Sequence, residues 1–261
     1  MRLEWRSDRK FHRDSVRIGY GQAMIVVVGM AFEARIAARS GLRVICSGDG
    51  RNLAPTLQEA ISNGCRGLIS FGLAGGLAPG LQAGTCVVGS AVVIGDSRLP
   101  TDSSWSQKLL ETMPGSISGA LAGVSNPVAT PEAKRALHLN TGAVAVDMES
   151  HIVANAAASH GLPMVAIRVI CDPVTRVLPE VALRAMRADG TTDVVALLGS
   201  VFRQPNKVPA LLQIALDARA ARATLLRGCR LLASDHGISG VSWLQGGALD
   251  DVRPSLGSAA G

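Results

Sequence analysis

The chain has 261 residues, of which 48% are hydrophobic and 3% aromatic, and its formal net charge is +6. That length and apolar content suffice for one large α/β domain whose core is built mainly from Ala, Val, Leu and Ile. The longest apolar runs are far shorter than the roughly 20 residues of a transmembrane helix, and no basic motif interleaved with aromatic residues indicates nucleic-acid binding.

The two ends of the chain differ in composition from the middle. The first 20 residues hold six Lys or Arg and three acids with no apolar segment after them, so they do not form a signal peptide. We predict a disordered basic leader over residues 1–22, a single domain over 23–236 and a disordered tail over 237–261. The five cysteines form no C-x-x-C pair and have no metal-ligand spacing with the five histidines. A reduced, cytoplasmic protein without a metal or another cofactor is therefore expected.

Short apolar runs alternate with helical segments along the domain. Strands are predicted over residues 24–28, 43–47, 67–71, 85–94, 144–146 and 164–170. Helices are predicted over residues 32–39, 53–62, 105–113 and 151–160. This alternation indicates an α/β fold with a central mixed or mostly parallel sheet flanked by helices. A helical C-terminal extension follows, over residues 181–189, 192–202 and 208–233.

The last predicted helix is amphipathic at about 100° per residue. Its basic side carries four arginines: Arg219, Arg222, Arg227 and Arg230. Its opposite side carries Leu225, Cys229 and Leu232. One interpretation is a solvated basic face above a core stripe, and the other is a surface that approaches anionic lipid at the inner membrane.

Three carboxylates follow two of the predicted buried strands. Asp147 and Glu149 come after residues 144–146, and Asp172 comes after residues 164–170. The ends of the strands in an open α/β sheet form its ligand crevice, so we predict that these carboxylates are unpaired and surround a polar ligand. The alternative is that they are ordinary helix and turn caps, since Asp and Ser favour helix starts and Asp-Pro favours turns.

Three segments resemble the nucleoside phosphorylase and nucleosidase superfamily. Residues 146–149, Val-Asp-Met-Glu, and the later Arg168 and Asp172 are similar to its Val-Glu-Met-Glu and Arg-x-x-Ser-Asp strand ends. Residues 68–84 look like its strand and Gly-rich turn. Residues 26–33 are similar to the opening strand of methylthioadenosine/S-adenosylhomocysteine nucleosidases. The matches occur in the family's order and cover roughly residues 24–200.

The resemblance implies that the chain cleaves the N-glycosidic bond of a nucleoside. Asp172 would protonate the departing purine at N7, which requires a pKa above the usual value for Asp of about 3.9. Glu149 would bind the ribose hydroxyls, with Met148 packed beneath the sugar. Glu33 would activate water in the hydrolytic enzymes. The alternative for Glu33 is a first-turn helix acid stabilised by the helix dipole.

Further substrate contacts follow from the same resemblance. The Gly-rich turn over residues 72–76 would let the backbone approach the ligand closely. The contacts are assigned to Asp147, Gly72, Leu73, Ala74 and Val128, the last as an apolar wall. A dinucleotide site is the competing interpretation of the glycines, but no G-x-G-x-x-G occurs there.

The sequence departs from the family at the expected phosphate ligands. Members that use phosphate place an Arg three residues before a Ser in the strand-end turn, and these positions here are Ser70 and Leu73. We therefore favour water as the nucleophile. Phosphate remains an alternative co-substrate, with Arg35, Arg51 and Arg168 as candidate ligands. The segment before Lys134 also lacks the family's Ser-Gly-Asp-Ala-Phe base-stacking motif.

These departures and the helical C-terminal segment resemble the hopanoid-associated phosphorylase branch. That resemblance implies release of adenine from adenosylhopane, a nucleoside with a triterpenoid at its 5′ end, in hopanoid biosynthesis. The alternatives are a methylthioadenosine/S-adenosylhomocysteine nucleosidase, a general purine nucleoside phosphorylase and a non-catalytic nucleoside-binding protein on the same fold. Related enzymes are often dimers that complete each other's site, so a homo-oligomer is expected.

Overall fold

The computed structural model describes residues 23–47, 52–177 and 208–233. The predicted leader, the predicted tail, the predicted helices over 181–189 and 192–202, and Arg51 lie outside these ranges.

The described residues form eight strands and six α-helices. The strands are β1 Ala23–Val28, β2 Arg43–Cys46, β3 Cys65–Gly76, β4 Cys86–Ile94, β5 Ser97–Pro100, β6 Ile117–Gly123, β7 Ala145–Asp147 and β8 Met164–Asp172. The helices are α1 Ala31–Ala37, continued by a short 3-10 turn at Ala38–Ser40, then α2 Leu53–Ser62, α3 Ser103–Thr112, α4 Pro131–Thr141, α5 Ser150–Ser159 and α6 Val208–Ala233.

The strands form one mixed sheet that closes on itself. Its order is β2-β1-β3-β7-β6-β4-β5, and β8 pairs with both β3 and β4. Strands β3, β7, β6, β4 and β8 therefore form a closed ring, in which β7 is antiparallel to β3 and β8 is antiparallel to β4. The prediction of an α/β fold with a central mixed sheet is confirmed.

Strand β3 is much longer than the sequence predicts. The prediction of a Gly-rich turn over residues 72–76 is wrong, because β3 continues to Gly76 alongside β8 and then β7. A Cβ on Gly75 would lie 3.2 Å from Val146 Cγ1 and 3.3 Å from Asp172 Oδ2. Glycine at this position thus lets β7 and the Asp172 carboxyl approach the strand. The other elements predicted within the described ranges have bounds within two residues of the observed ones.

Three observed elements have no predicted counterpart: β5, β6 and α4. Helix α4 nevertheless carries ordinary boundary signals. The Thr130 side chain accepts a hydrogen bond from Ala133 N at 3.2 Å, Pro131 follows as the first helical residue, and Gly142 ends the helix at φ 65°. Its position matters for the site, because it carries Lys134.

Helices cover both faces of the sheet. Helix α6 packs with α1 and α3 over one face, and α2 and α5 cover the other. On α6 the residues Leu225, Cys229 and Leu232 are buried, whereas the four predicted arginines are exposed, so the predicted amphipathic arrangement is confirmed. No helix of the described ranges combines the length and the apolar character needed to cross a membrane.

The packing of α6 makes a testable prediction. Leu225 is 0% exposed in the core, so Leu225→Ala should lower the free energy of unfolding by about 2–5 kcal/mol. Leu216 lies on the same helix but is 51% exposed, so Leu216→Ala should change it by at most about 0.5 kcal/mol. Urea unfolding followed by circular dichroism measures both. Equal losses in the two variants would contradict this docking of α6.

Candidate active site

The Arg168 guanidinium lies buried where β3, β7 and β8 meet. Its side chain is 0% exposed, and Nη2 lies 3.0 Å from Asp147 Oδ1 while Nη1 lies 3.4 Å from Glu149 Oε2. Nη2 also donates to Ser70 Oγ at 2.6 Å and to Ser150 Oγ at 3.2 Å. The prediction that Asp147 and Glu149 are unpaired is therefore wrong. Carboxylates buried this deeply need a counter-charge, and β8 supplies it.

Asp147 also organises the start of α5. Its Oδ1 accepts hydrogen bonds from Glu149 N at 2.9 Å and from Ser150 N at 2.6 Å. This is the capping role that the sequence left open as an alternative for Asp147. Its other oxygen, Oδ2, is buried and finds no hydrogen-bond partner among the described residues.

The Glu33 carboxylate joins the loop after β1 to β3. Glu33 lies in the first turn of α1 and is 2% exposed. Its Oε2 accepts hydrogen bonds from Gly29 N at 2.9 Å and Met30 N at 2.8 Å, and its Oε1 accepts one from Leu73 N at 2.7 Å. Glu33 is thus a helix-start acid that also reaches the site. Leu73 contributes its backbone N–H to this contact.

Two glycines let these carboxylates approach the backbone. A Cβ on Gly72 would lie 2.7 Å from Glu33 Oε1 and 2.8 Å from Arg168 Nη1. A Cβ on Gly29 would lie 2.6 Å from Glu149 Oε1. Any larger residue at either position would displace a charged group. Glu33, Glu149 and Arg168, which are distant in sequence, therefore meet around Gly29 and Gly72.

Carboxyl groups outnumber positively charged groups in this cluster. Burial raises the pKa of Glu149 to about 7, with Arg168 opposing the shift and Asp147 and Glu33 adding to it. Burial likewise raises the pKa of Glu33, against the opposing charge of Arg168. Three carboxyl groups thus share one guanidinium, and a ligand that develops positive charge there would be stabilised.

Asp172 forms a second centre at the end of β8. Its Oδ2 accepts a hydrogen bond from Lys134 Nζ at 2.6 Å, and its Oδ1 accepts one from Cys171 Sγ at 3.1 Å. Burial raises the pKa of Asp172, whereas the Lys134 ammonium opposes that rise. The prediction that Asp172 is unpaired is also wrong. Sequence reasoning missed Lys134, because a lone lysine in a helix normally lies on its solvated face.

The two centres lie along the same strand. Gly72 faces the Glu33–Arg168 contact and Gly75 faces the Asp172 carboxyl. These glycines are three residues apart in β3, which corresponds to roughly 10 Å. A ligand of about that length can contact both centres.

The other predicted contact residues occupy varied environments. Ala74 is buried, Met148 is 37% exposed, and Val128 is half-buried against the cluster that contains Ala122 and Val146. Of the candidate phosphate ligands, Arg35 is exposed in the last turn of α1, while Arg168 lies within the carboxylate cluster. Across the described ranges, no group of three or more His, Cys, Asp or Glu side chains is arranged to hold a metal ion.

A separate cavity of about 780 Å³ opens beside α6. Its described lining combines apolar and basic side chains, including Met113, Leu231, Arg227 and Arg230. None of the carboxylates described above belongs to that lining. The cavity is therefore distinct from the carboxylate site.

Comparison with solved structures identifies the same fold in known nucleosidases. Futalosine hydrolase of Helicobacter pylori is 16% identical, with a TM-score of 0.59 over 81% of this chain and 97% of that chain. The 5′-methylthioadenosine/S-adenosylhomocysteine nucleosidase of Helicobacter pylori is 16% identical, with a TM-score of 0.59 over 82% and 98%. The Campylobacter jejuni enzyme of that name is 14% identical, with a TM-score of 0.58 over 80% and 99%. At these identities the likeness shows the fold alone.

Sequence comparison identifies the family of the chain. No curated protein sequence matches the chain. The sequence model of the phosphorylase superfamily matches residues 31–198, which is more than half of the 261 residues. The chain belongs to the phosphorylase superfamily.

Proposed function

We propose that the chain cleaves the N-glycosidic bond of an adenine nucleoside and releases adenine. Membership of the phosphorylase superfamily makes it an enzyme of the nucleoside phosphorylase and nucleosidase class. The observation that carries the proposal is the pair of centres along β3, with Glu33 and Glu149 around Arg168 at one and Asp172 at the other. One centre suits a cationic sugar and the other a base that must be protonated.

Asp172 is the proposed general acid. The base leaves poorly as an anion, so protonation at N7 must accompany rupture of the bond from C1′ to N9. A carboxyl group whose pKa is raised by burial keeps its proton nearer to neutral pH than an exposed one does. General acid catalysis of this kind contributes about 10²- to 10⁴-fold to a rate.

Glu149 and Glu33 act on the sugar in this proposal. Glu149 accepts hydrogen bonds from the ribose hydroxyls, and its carboxylate stabilises the positive charge that develops on the ring. Glu33 accepts a proton from water as the water oxygen bonds to C1′. The electron pair of the broken C1′–N9 bond passes to the purine, which takes its proton from Asp172.

Water is the proposed nucleophile. Ser70 stands where phosphate-using members carry an arginine, and its buried hydroxyl already accepts a hydrogen bond from Arg168 at 2.6 Å. Leu73 stands where they carry a serine, and its side chain offers no donor. A phosphate ion would therefore lack the bidentate contact that normally holds it.

The proposed substrate class is adenosine with an apolar 5′ substituent, of which adenosylhopane is the member implied by the sequence resemblance. The surface of α6 supports this choice. Leu212 and Leu216 are 61% and 51% exposed on the helix that carries the four exposed arginines. A basic helix with exposed leucines suits a peripheral contact with an anionic bilayer, where a lipid-linked nucleoside would be found.

The second candidate is cleavage of 5′-methylthioadenosine or S-adenosylhomocysteine, which the neighbouring structures favour.

The nucleophile can be tested on the purified chain with adenosines of increasing 5′ apolarity. We expect adenine and a free ribosyl product, at rates that millimolar phosphate leaves nearly unchanged. Glu33→Gln should lower kcat by about 10²-fold or more, whereas Glu59→Gln, at an exposed position on α2, should not. Chromatography of the products measures both. A ribose-1-phosphate product would show that phosphate attacks instead, and absence of adenine release from every adenosine would reject the proposed function.

The membrane contact can be tested by vesicle sedimentation. We expect reversible, salt-sensitive binding to anionic vesicles and weak binding to neutral ones, because arginines are attracted to anionic headgroups. Replacement of all four α6 arginines by Gln should abolish the binding to anionic vesicles; the positions are Arg219, Arg222, Arg227 and Arg230. A matched control has Gln at four exposed arginines elsewhere, Arg39, Arg66, Arg98 and Arg135, and should still bind. Equal binding by the two variants would reject a specific role for α6.

A further inference from the structure

Lys134 is a buried cation beside the candidate acid. It lies in α4, its side chain is 0% exposed, and its Nζ is 2.6 Å from Asp172 Oδ2. Nζ also lies within hydrogen-bond distance of three backbone oxygens, that of Asp172 at the end of β8 at 3.2 Å and, just beyond the strand, those of Pro173 at 3.2 Å and of Arg176 at 3.3 Å. One ammonium group therefore holds both the carboxyl of Asp172 and the turn that follows it.

The two oxygens of Asp172 differ because of this contact. In a protonated carboxyl group the C=O oxygen accepts hydrogen bonds better than the O–H oxygen does, so an ammonium that donates to Oδ2 at 2.6 Å favours the carboxyl proton on the other oxygen. Oδ1 accepts from the Cys171 thiol, which is a weak donor, at 3.1 Å and keeps further capacity. When Asp172 is protonated, Oδ1 is therefore the favoured position of its proton.

We propose that Lys134 is a positioning residue for Asp172, which binds Oδ2 and thereby makes Oδ1 the oxygen that hands its proton to the nucleobase. This inference rests on the proposed function, because it assigns a task to Asp172. The proton moves from Oδ1 to N7 as the glycosidic bond breaks. The resulting carboxylate stays paired with the ammonium and regains its proton from water after adenine leaves.

The charge environment makes the effect of Lys134 predictable. Among the described residues, the titratable groups that contact Asp172 are Lys134 from α4 and Cys171 from β8. The residues of β3 and β7 near the Asp172 carboxyl are Gly75 and Val146, and neither has a titratable side chain. The guanidinium of Arg176 turns away to Asp217 on α6, 2.8 Å distant. The Lys134 ammonium is thus the main positive charge that acts on the Asp172 carboxyl.

A purely structural role for Lys134 makes a different prediction. Its three backbone contacts could simply hold the turn after β8, in which case its loss would lower activity equally at every pH. A positioning role moves the pH profile, because activity requires protonated Asp172 and so falls as the pH rises through its pKa. Loss of the opposing ammonium raises that pKa, so the alkaline limb of kcat/KM moves to higher pH.

The experiment measures kcat and kcat/KM against pH, with the 5′-alkylthioadenosine that the unmodified enzyme cleaves fastest. Lys134→Met should lower kcat by about 10- to 100-fold through lost orientation and move the alkaline limb upward. Lys134→Arg should keep the limb near its original pH, because the positive charge remains. Arg135→Met, at the exposed neighbour on α4, is the matched control and should change neither quantity.

A double-mutant cycle separates the two roles further. If Lys134 acts through Asp172, then Lys134→Met should cost less than about threefold in kcat/KM when added to Asp172→Asn. The inference is overturned if the alkaline limb of kcat/KM in Lys134→Met stays at the pH of the unmodified enzyme. It is also overturned if Lys134→Met lowers kcat/KM by the same factor in the unmodified enzyme and in Asp172→Asn. Circular dichroism checks folding, and Lys134→Gln, which keeps a donor for the backbone oxygens, replaces the Met variant if that one does not fold. Failure of the unmodified enzyme to release adenine would instead reject the proposed function.

Discussion

The burial of one guanidinium governs the arrangement of the candidate active site. Arg168 is removed from water in β8, so it needs anionic and hydrogen-bonding partners, which it finds in Asp147, Glu149 and Ser70. Those partners come from β3, from the end of β7 and from the start of α5, and Glu33 closes the cluster from α1. The contacts among these groups join β3, β7, β8, α1 and α5, so the charge cluster links the fold to the proposed chemistry.

The closed ring of strands makes this charge arrangement possible. Because β8 pairs with both β3 and β4, its C-terminal end lies beside the Gly-rich half of β3. Glycines at residues 72 and 75 leave space for carboxyl groups that side chains would otherwise fill. The Gly-rich half of β3 thus lies against the carboxyl cluster around Arg168 at Gly72 and against the Lys134–Asp172 pair at Gly75. The proposed sugar and base subsites rest on that arrangement.

The sequence predicted the elements whose signals are local and missed the features that depend on distant partners. Residues 53–62 and 208–233 show clear helical periodicity, and both helices have the predicted bounds. Residues 72–76 resembled a turn because pairing with β7 and β8 cannot be read locally. The grouping of Glu33 with Glu149 came from the family resemblance. The burial of Arg168 and of Lys134, each against its own carboxyl partners, could not be predicted. Charged residues are almost always exposed unless tertiary partners compensate their charge.

The central claim is that the carboxylates around Arg168 stabilise positive charge on the ribose. Calorimetric binding of an adenosine analogue with a protonated pyrrolidine in place of the ribose, compared with its neutral cyclopentane isostere, tests it most directly. The cationic analogue should bind at least about 10²-fold more tightly. Its advantage should grow as the pH rises through neutrality, because Glu149, whose pKa is raised to about 7, then ionises. Equal affinity for the two analogues would contradict the account.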